Sequence, residues 1–287
     1  MVPLLLSVLV QLSSADVSAD MEASLAAFQK EMQAAKQKNN QLSWALAFQK
    51  RAAFLQSRGK LEEAVNSFAQ DAWPQEDIPL ALTSLSYFNA LSAYRGKFYW
   101  EIARRPAMED WKKQPIRFWT HAQMVQVQNA ALGKAWQRRV QLESVQVTQL
   151  KDFEKFKDEW GRGCFDKLSE KDKSVRGALS FLWADFLESP ENWLPQNDYW
   201  QDERRKFSQD DAMVSLKTQG DPTNPKAHSL MRAAWVYADL KTWHSQNGRA
   251  EEASEVLRHS HGELLLGSLG QMLCHTGGTA SAGERNA

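Results

Sequence analysis

One stripe of large side chains limits what this chain can fold into. Leu80, Tyr87, Leu91, Tyr94, Phe98 and Ile102 recur at helical steps, so they share one face of an α-helix. Leu85, Phe88 and Tyr99 widen the stripe, and a helix this apolar is expected to be covered on more than one side. Asp77 reads as its cap and Pro79 as a first-turn residue. Arg104 and Arg105 suit the negative end of the dipole, and Pro106 discourages continuation. The reading is a central helix of about 26 residues, with the stretch Trp73 to Thr120 organising the rest of the chain.

A second constraint is a repeated phrase. Glu22 to Lys38 is a helix by propensity, with Leu25, Phe28 and Met32 on one face and Asn39-Asn40 breaking it. Leu42 to Arg58 resumes with Trp44, Phe48 and Leu55 inward, Gly59 turns the chain, and Leu61 begins a third helix. Phe48, Leu55, Gly59, Ala64 and Phe68 have the spacing of a tetratricopeptide hairpin, in which Ala permits close approach and Gly a left-handed turn. Ser57 to Ala64 aligns with Gln246 to Ala253, preceded by Trp235, Tyr237, Leu240 and Trp243 and followed by Val256 and Leu257. Regular arrays need at least three copies. The expected fold is therefore all-α, an irregular tetratricopeptide-like array of helical hairpins, loop-disrupted in its middle.

Between the copies, Thr120 to Leu142 reads as a helix with Met124, Val127, Ala131 and Trp136 inside. Val147 to Trp160 follows, then a turn at Gly161 to Cys164. Asp172 to Leu187 carries Val175, Leu179, Leu182, Trp183 and Phe186 inward; Ser189 to Trp200 and Gln219 to Pro225 read as loops. The expected divisions are 1–15 as a signal peptide, 21–145 and 146–272 as helical subdomains, and 273–287 as a disordered tail.

Composition narrows the function. The 287 residues carry 35 basic and 35 acidic side chains, which removes the usual electrostatic reason to expect nucleic acid or an anionic membrane as partner. The apolar run Val2 to Leu12 ends in Ser13-Ser14-Ala15, shorter than the roughly 20 residues a membrane span needs. It reads as a secretory signal without a basic n-region, so export to a periplasm or cell envelope is expected. Cys164 and Cys274 are the only cysteines. Spacing leaves open whether they pair or stand as separate thiols.

No residue set forms a strong catalytic motif. Glu101, Glu109 and Asp110 invite comparison with glycosidase carboxylates, yet beside Arg104, Arg105, Lys112 and Lys113 they read as a solvated face. His259 and His261, two apart on a helix, point to different sides, and with His244 and His275 they read as surface groups, not metal ligands. No cofactor is expected. Trp193, Tyr199 and Trp200 are the candidate interaction aromatics, a platform for a peptide or sugar.

One family resemblance gives the functional expectation. Trp73-Pro74, Leu91 and Tyr94, Tyr99-Trp100-Glu101-Ile102 with Arg104-Arg105, and Trp119-Thr120 resemble the helical N-terminal region of large bacterial alpha-2-macroglobulin-like proteins. The likeness continues through Trp136 and Arg138-Arg139 to Leu240, Trp243 and His244. Members of that family are exported and trap proteases with macroglobulin β-domains, a bait region and often a Cys-x-Glu-Gln thioester. Here Cys164 is followed by Phe165-Asp166-Lys167 and Cys274 by His275-Thr276-Gly277, so no thioester motif is present. The resemblance implies a non-enzymatic helical module, fragment or companion of such a system. Its expected partner is a protein with macroglobulin-like β-domains, bound with mild salt dependence and no need for a membrane. The alternatives are a generic tetratricopeptide-like periplasmic scaffold and an α-helical glycan-binding or glycan-active protein.

Overall fold

The computed structural model describes residues 2–147, 174–192, 220–224 and 227–260, with side chains from residue 19 onward. The helices are α1 (Val2–Gln37), α2 (Gln41–Ser57), α3 (Leu61–Gln70), α4 (Asp77–Lys97) and the single turn α5 (Tyr99–Ile102). They continue with α6 (His121–Trp136), α7 (Val175–Glu188), α8 (Ser229–Gln246) and α9 (250–260). The described residues contain no β-strand, and an isolated bridge joins Gln146 to Ser174. The fold is the expected all-α helical array.

Three inter-helix turns share one hydrogen-bond pattern, each built on a residue with positive φ: Asn39 (50°), Gly59 (73°) and Gly248 (70°). In the second, Gly59 N–H donates to Gln56 O (2.9 Å) and Lys60 N–H to Leu55 O (2.8 Å). The third repeats this from Gly248 to Ser245 O (3.2 Å) and from Arg249 to His244 O (2.9 Å). The first repeats it from Asn39 to Lys36 O (3.0 Å) and from Asn40 to Ala35 O (2.9 Å). These are Schellman closures, which satisfy the last carbonyls of a helix while reversing the chain. Asn39-Asn40 is thus a hairpin turn and not merely a break. Asparagine tolerates the left-handed conformation, and Asn40 then caps α2 by accepting from Ser43 N–H at 2.9 Å.

The hairpin residues meet as their spacing implied. Trp44 stacks on Phe48 (5.1 Å between centroids), Phe48 meets Phe68 edge-on (4.7 Å), and Phe68 meets Tyr87 of α4 (4.9 Å). Ala64 is fully buried between them. In the C-terminal copy Ala253 and Val256 are buried, with Trp235 and Leu257 half-buried.

Helix α4 is covered on two sides. Ala81, Leu82, Leu85 and Phe88 join one buried cluster with α6, α7, α8 and Val256. Ala90, Leu91 and Tyr94 join a second with α1, α2, α3, Ile102 and Ile116. The first cluster runs across the division expected at 145/146. Buried hydroxyls on α4 are satisfied within the helix: Thr83 donates to Pro79 O, Ser84 to Leu80 O and Ser86 to Leu82 O, at 2.8 to 2.9 Å. Their small size lets neighbouring helices approach closely.

Several boundaries differ from the sequence reading; α7, for one, starts at Val175 behind an N-cap Ser174 and not at Asp172. Helix α1 begins at Val2 instead of Glu22, because Leu4 to Gln37 contains no Gly or Pro and Pro3 sits in the first turn. Glu76, not Asp77, is the N-cap residue of α4. The preceding N–H groups of Gln75 and Glu76 are met instead by Gln41 Oε1 of α2, at 2.6 and 2.9 Å. Helix α4 ends at Lys97, since Phe98 leaves helical angles (φ −106°, ψ 21°) before α5 restarts. Helix α6 ends at Trp136, and turns carry the chain to buried Leu142. No helix among the described residues is long and apolar enough to cross a membrane. Cys164, Cys274, the turn at 161–164 and the tail 273–287 lie outside the described residues.

A charged knot joins the turns after α6 to α7 and α8. Arg139 grips Asp239 with Nε and Nη2, both at 2.9 Å, while its guanidinium lies 3.6 Å from the Trp136 ring centre. Arg176 donates to the same carboxylate at 2.8 Å and to Glu143, and lies 4.7 Å from the Trp243 ring.

Burial of Tyr87 among Phe68 and Trp73 raises its phenol from 10.0 to about 12. An acid raised on folding gives stability that is full below its unfolded pKa and lost as pH rises through the folded one. Tyr87→Phe is therefore expected to gain on the wild type between about pH 10 and 12, by up to about 1.4 kcal/mol per pH unit. Denaturant titrations of both proteins across that window check it; a pH-independent difference would refute it.

Candidate functional site

The surface around the α4–α6 connection presents aromatic side chains to solvent within a tightly built frame. Phe98 and Ile102 are spaced four apart and turn inward, Ile102 almost completely buried. Trp100 lies two residues from each, roughly half a helical turn away, and therefore points outward. It is 76% exposed, and Tyr99 beside it is 42% exposed. Their rings meet edge-on at 5.4 Å, and Tyr99 also meets His121 at 6.2 Å. Tyr99 was expected in the core stripe; the break at Phe98 rotates it out of that register.

The loop that follows is fixed to this turn. Arg105 Nη1 donates to Ile116 O (3.3 Å) and Trp119 O (3.1 Å), and its guanidinium lies 5.9 Å from the Tyr94 ring centre. Burial raises the Tyr94 phenol, and the hydrogen bond and charge of Arg105 pull partly the other way. Trp119 Nε1 donates to Gln114 O at 2.9 Å and its ring meets Trp111 at 5.0 Å. Ile116 is buried, leaving Phe118 exposed with Arg117 5.3 Å from its ring, and Met108 is exposed on the same loop. Thr120 closes the segment with a capping box: Gln123 N–H donates to Thr120 Oγ1 (3.4 Å), and Thr120 N–H donates to Gln123 Oε1 (2.8 Å).

This segment is locally basic although the chain is neutral. Lys97, Arg104, Arg105, Lys112, Lys113 and Arg117 outnumber Glu101, Glu109 and Asp110. Part of that charge is spent locally: Lys113 pairs with Asp110 at 2.9 Å and Arg117 with Glu62 at 3.4 Å. Glu101, Glu109 and Asp110 are all exposed, on the solvated face expected for them.

The candidate aromatics Trp193, Tyr199 and Trp200 lie outside the described residues, as do His261 and His275. The expectation of surface histidines fails at two positions. His244 is 2% exposed beneath Trp243, because the closing turn of α8 folds it inward. His259 is half-buried against Phe181 and Tyr237, because α9 packs that face on α7 and α8. A cleft of about 200 Å³ is lined by Lys36, Trp44, Trp73, Pro74 and Gln75. It is smaller than the roughly 300–1,000 Å³ of small-molecule sites, and Lys36 is already engaged with Asp71 at 3.6 Å.

The arrangement offers apolar contact area rimmed by cations. Sequence reasoning missed Trp100 as an outward group, although the inward spacing of Phe98 and Ile102 carried that signal. No protein-family model, curated protein or solved structure matches this chain.

Proposed function

We propose that this chain is a non-catalytic helical interaction module that docks a partner protein through the exposed aromatics at Tyr99 and Trp100. The observation that carries the reading is Trp100, 76% exposed on a turn that the buried Ile102 holds to the core. Exposed tryptophans on fixed frames are typical anchors of protein interfaces. The basic rim favours a partner with an apolar pocket edged by acidic groups, so binding weakens with salt more than the neutral net charge implied.

The finer reading rests on the resemblance carried by Trp73 to Thr120, the segment that contains this turn. In that reading the chain is exported and accompanies a bacterial alpha-2-macroglobulin-like protease-inhibitor system, as companion or fragment, with β-domains as the partner. The apolar run Val2 to Leu12 supports export, and amino-terminal sequencing of the cell-envelope form is expected to begin beyond Ala15. Co-purification from an envelope extract, with mass spectrometry, is expected to recover a large macroglobulin-like chain. Repeated recovery of a lone monomer would overturn that assignment.

A further inference from the structure

Away from the aromatic turn, Asp185, Glu188 and His259 each bring one ligand atom to within 4.8 Å of the other two. Asp185 and Glu188 stand one turn apart in the last turn of α7, on the same face. His259 comes from α9, and its Nε2 lies 3.2 Å from Asp185 Oδ1. The imidazole is walled by Phe181 and Tyr237, whose ring centres lie 5.4 and 5.6 Å away and nearly perpendicular to it. These walls hold its nitrogen toward the carboxylates. Tyr237 Oη donates to Glu188 Oε2 at 3.2 Å and reaches Asp185 Oδ1 at 3.4 Å.

Two physical facts give this grouping meaning. Carboxylates at a helix C-terminus oppose the dipole, and that cost falls when a concentrated positive charge enters the site. One imidazole nitrogen with two carboxylate oxygens is a ligand set that zinc takes, at roughly 2.0–2.2 Å, leaving a fourth position open. Magnesium and calcium take oxygen ligands instead. A hydroxyl holding the ligating carboxylates is the outer-shell support such sites use.

We propose that Asp185, Glu188 and His259 bind a divalent transition-metal ion, zinc being the best match, and that the ion ties α9 to α7. Tyr237 is a positioning residue there. The site closes the C-terminal hairpin and is independent of docking at Trp100.

Chelator-stripped full-length protein titrated with Zn²⁺ by calorimetry, and with Co²⁺ by visible absorption, tests the assignment. The expected result is one equivalent bound with imidazole-type Co²⁺ absorption and a raised melting temperature. Asp185→Asn with Glu188→Gln, and separately His259→Gln, are expected to weaken binding by at least about 100-fold, and Tyr237→Phe by about 10-fold. Circular dichroism of the metal-free variants separates lost ligation from lost folding. Absence of stoichiometric binding by the wild type would overturn the proposal whatever the variants do. So would unchanged affinity in the folded Asp185→Asn/Glu188→Gln protein, which would place the ion on other side chains.

Discussion

Asp239→Ala is expected to lower the unfolding free energy by about 3 kcal/mol, the low end of the range for breaking one partner out of a buried ion pair. Asp239 receives Arg139 through two 2.9 Å bonds and Arg176 through one at 2.8 Å. The Arg176 side chain is only 6% exposed, so losing one of its two carboxylate partners leaves Glu143 alone to balance a buried cation against the Trp243 ring. The figure sits at the low end because the Asp239 carboxylate keeps 24% exposure. Chemical denaturation measures it, and a loss below about 1 kcal/mol would place the knot among ordinary surface pairs.

Leu91→Ala is expected to cost about 2–5 kcal/mol, as a large-to-small change at a fully buried site. Leu91 belongs to the cluster that α4 shares with α1, α2 and α3, where close packing limits collapse around the cavity. On sequence grounds Phe98 belonged with it. The structure separates the two, because Phe98 is half-buried at the helix break and keeps part of its ring in solvent. Phe98→Ala is expected to cost less than Leu91→Ala, and the reverse order in thermal or denaturant unfolding would show that α4 is not the shared element.

The helices were legible because their signals are local. Stripe periodicity marked α4, and the glycines of the repeated phrase adopt the positive φ that their turns require. Thr120 stands where the capping geometry needs a hydroxyl, whereas the reading of a helix from Asp172 missed Ser174, the actual N-cap, which accepts from Gly177 N–H. Asn39 was half-read, since asparagine breaks helices in several ways and only the backbone bonds to Ala35 and Lys36 reveal a Schellman turn.

What could not be read were consequences of long-range packing. Nothing local predicts that Gln41 serves the entry to α4, or that Arg139 meets a carboxylate 100 residues away. The helix break at Phe98 is also invisible to periodicity, because Phe98 and Ile102 keep the stripe's spacing while the backbone between them resets. That reset is what turns Tyr99 and Trp100 into surface groups. His259 reaching Asp185 across 74 residues is a meeting of the same kind.

The most direct test of the docking account is partner capture by wild type, Trp100→Ala and Val140→Ala compared side by side. Val140 is 58% exposed but lies outside the aromatic turn, so it controls for loss of any exposed apolar group. Both substitutions are expected to change stability by no more than about 0.5 kcal/mol, as for other surface sites. The account expects Val140→Ala to hold the same partner as the wild type and Trp100→Ala to lose about 2 kcal/mol of affinity, the scale of an interface anchor. Equal capture by Trp100→Ala and the wild type, with folding intact, would contradict it.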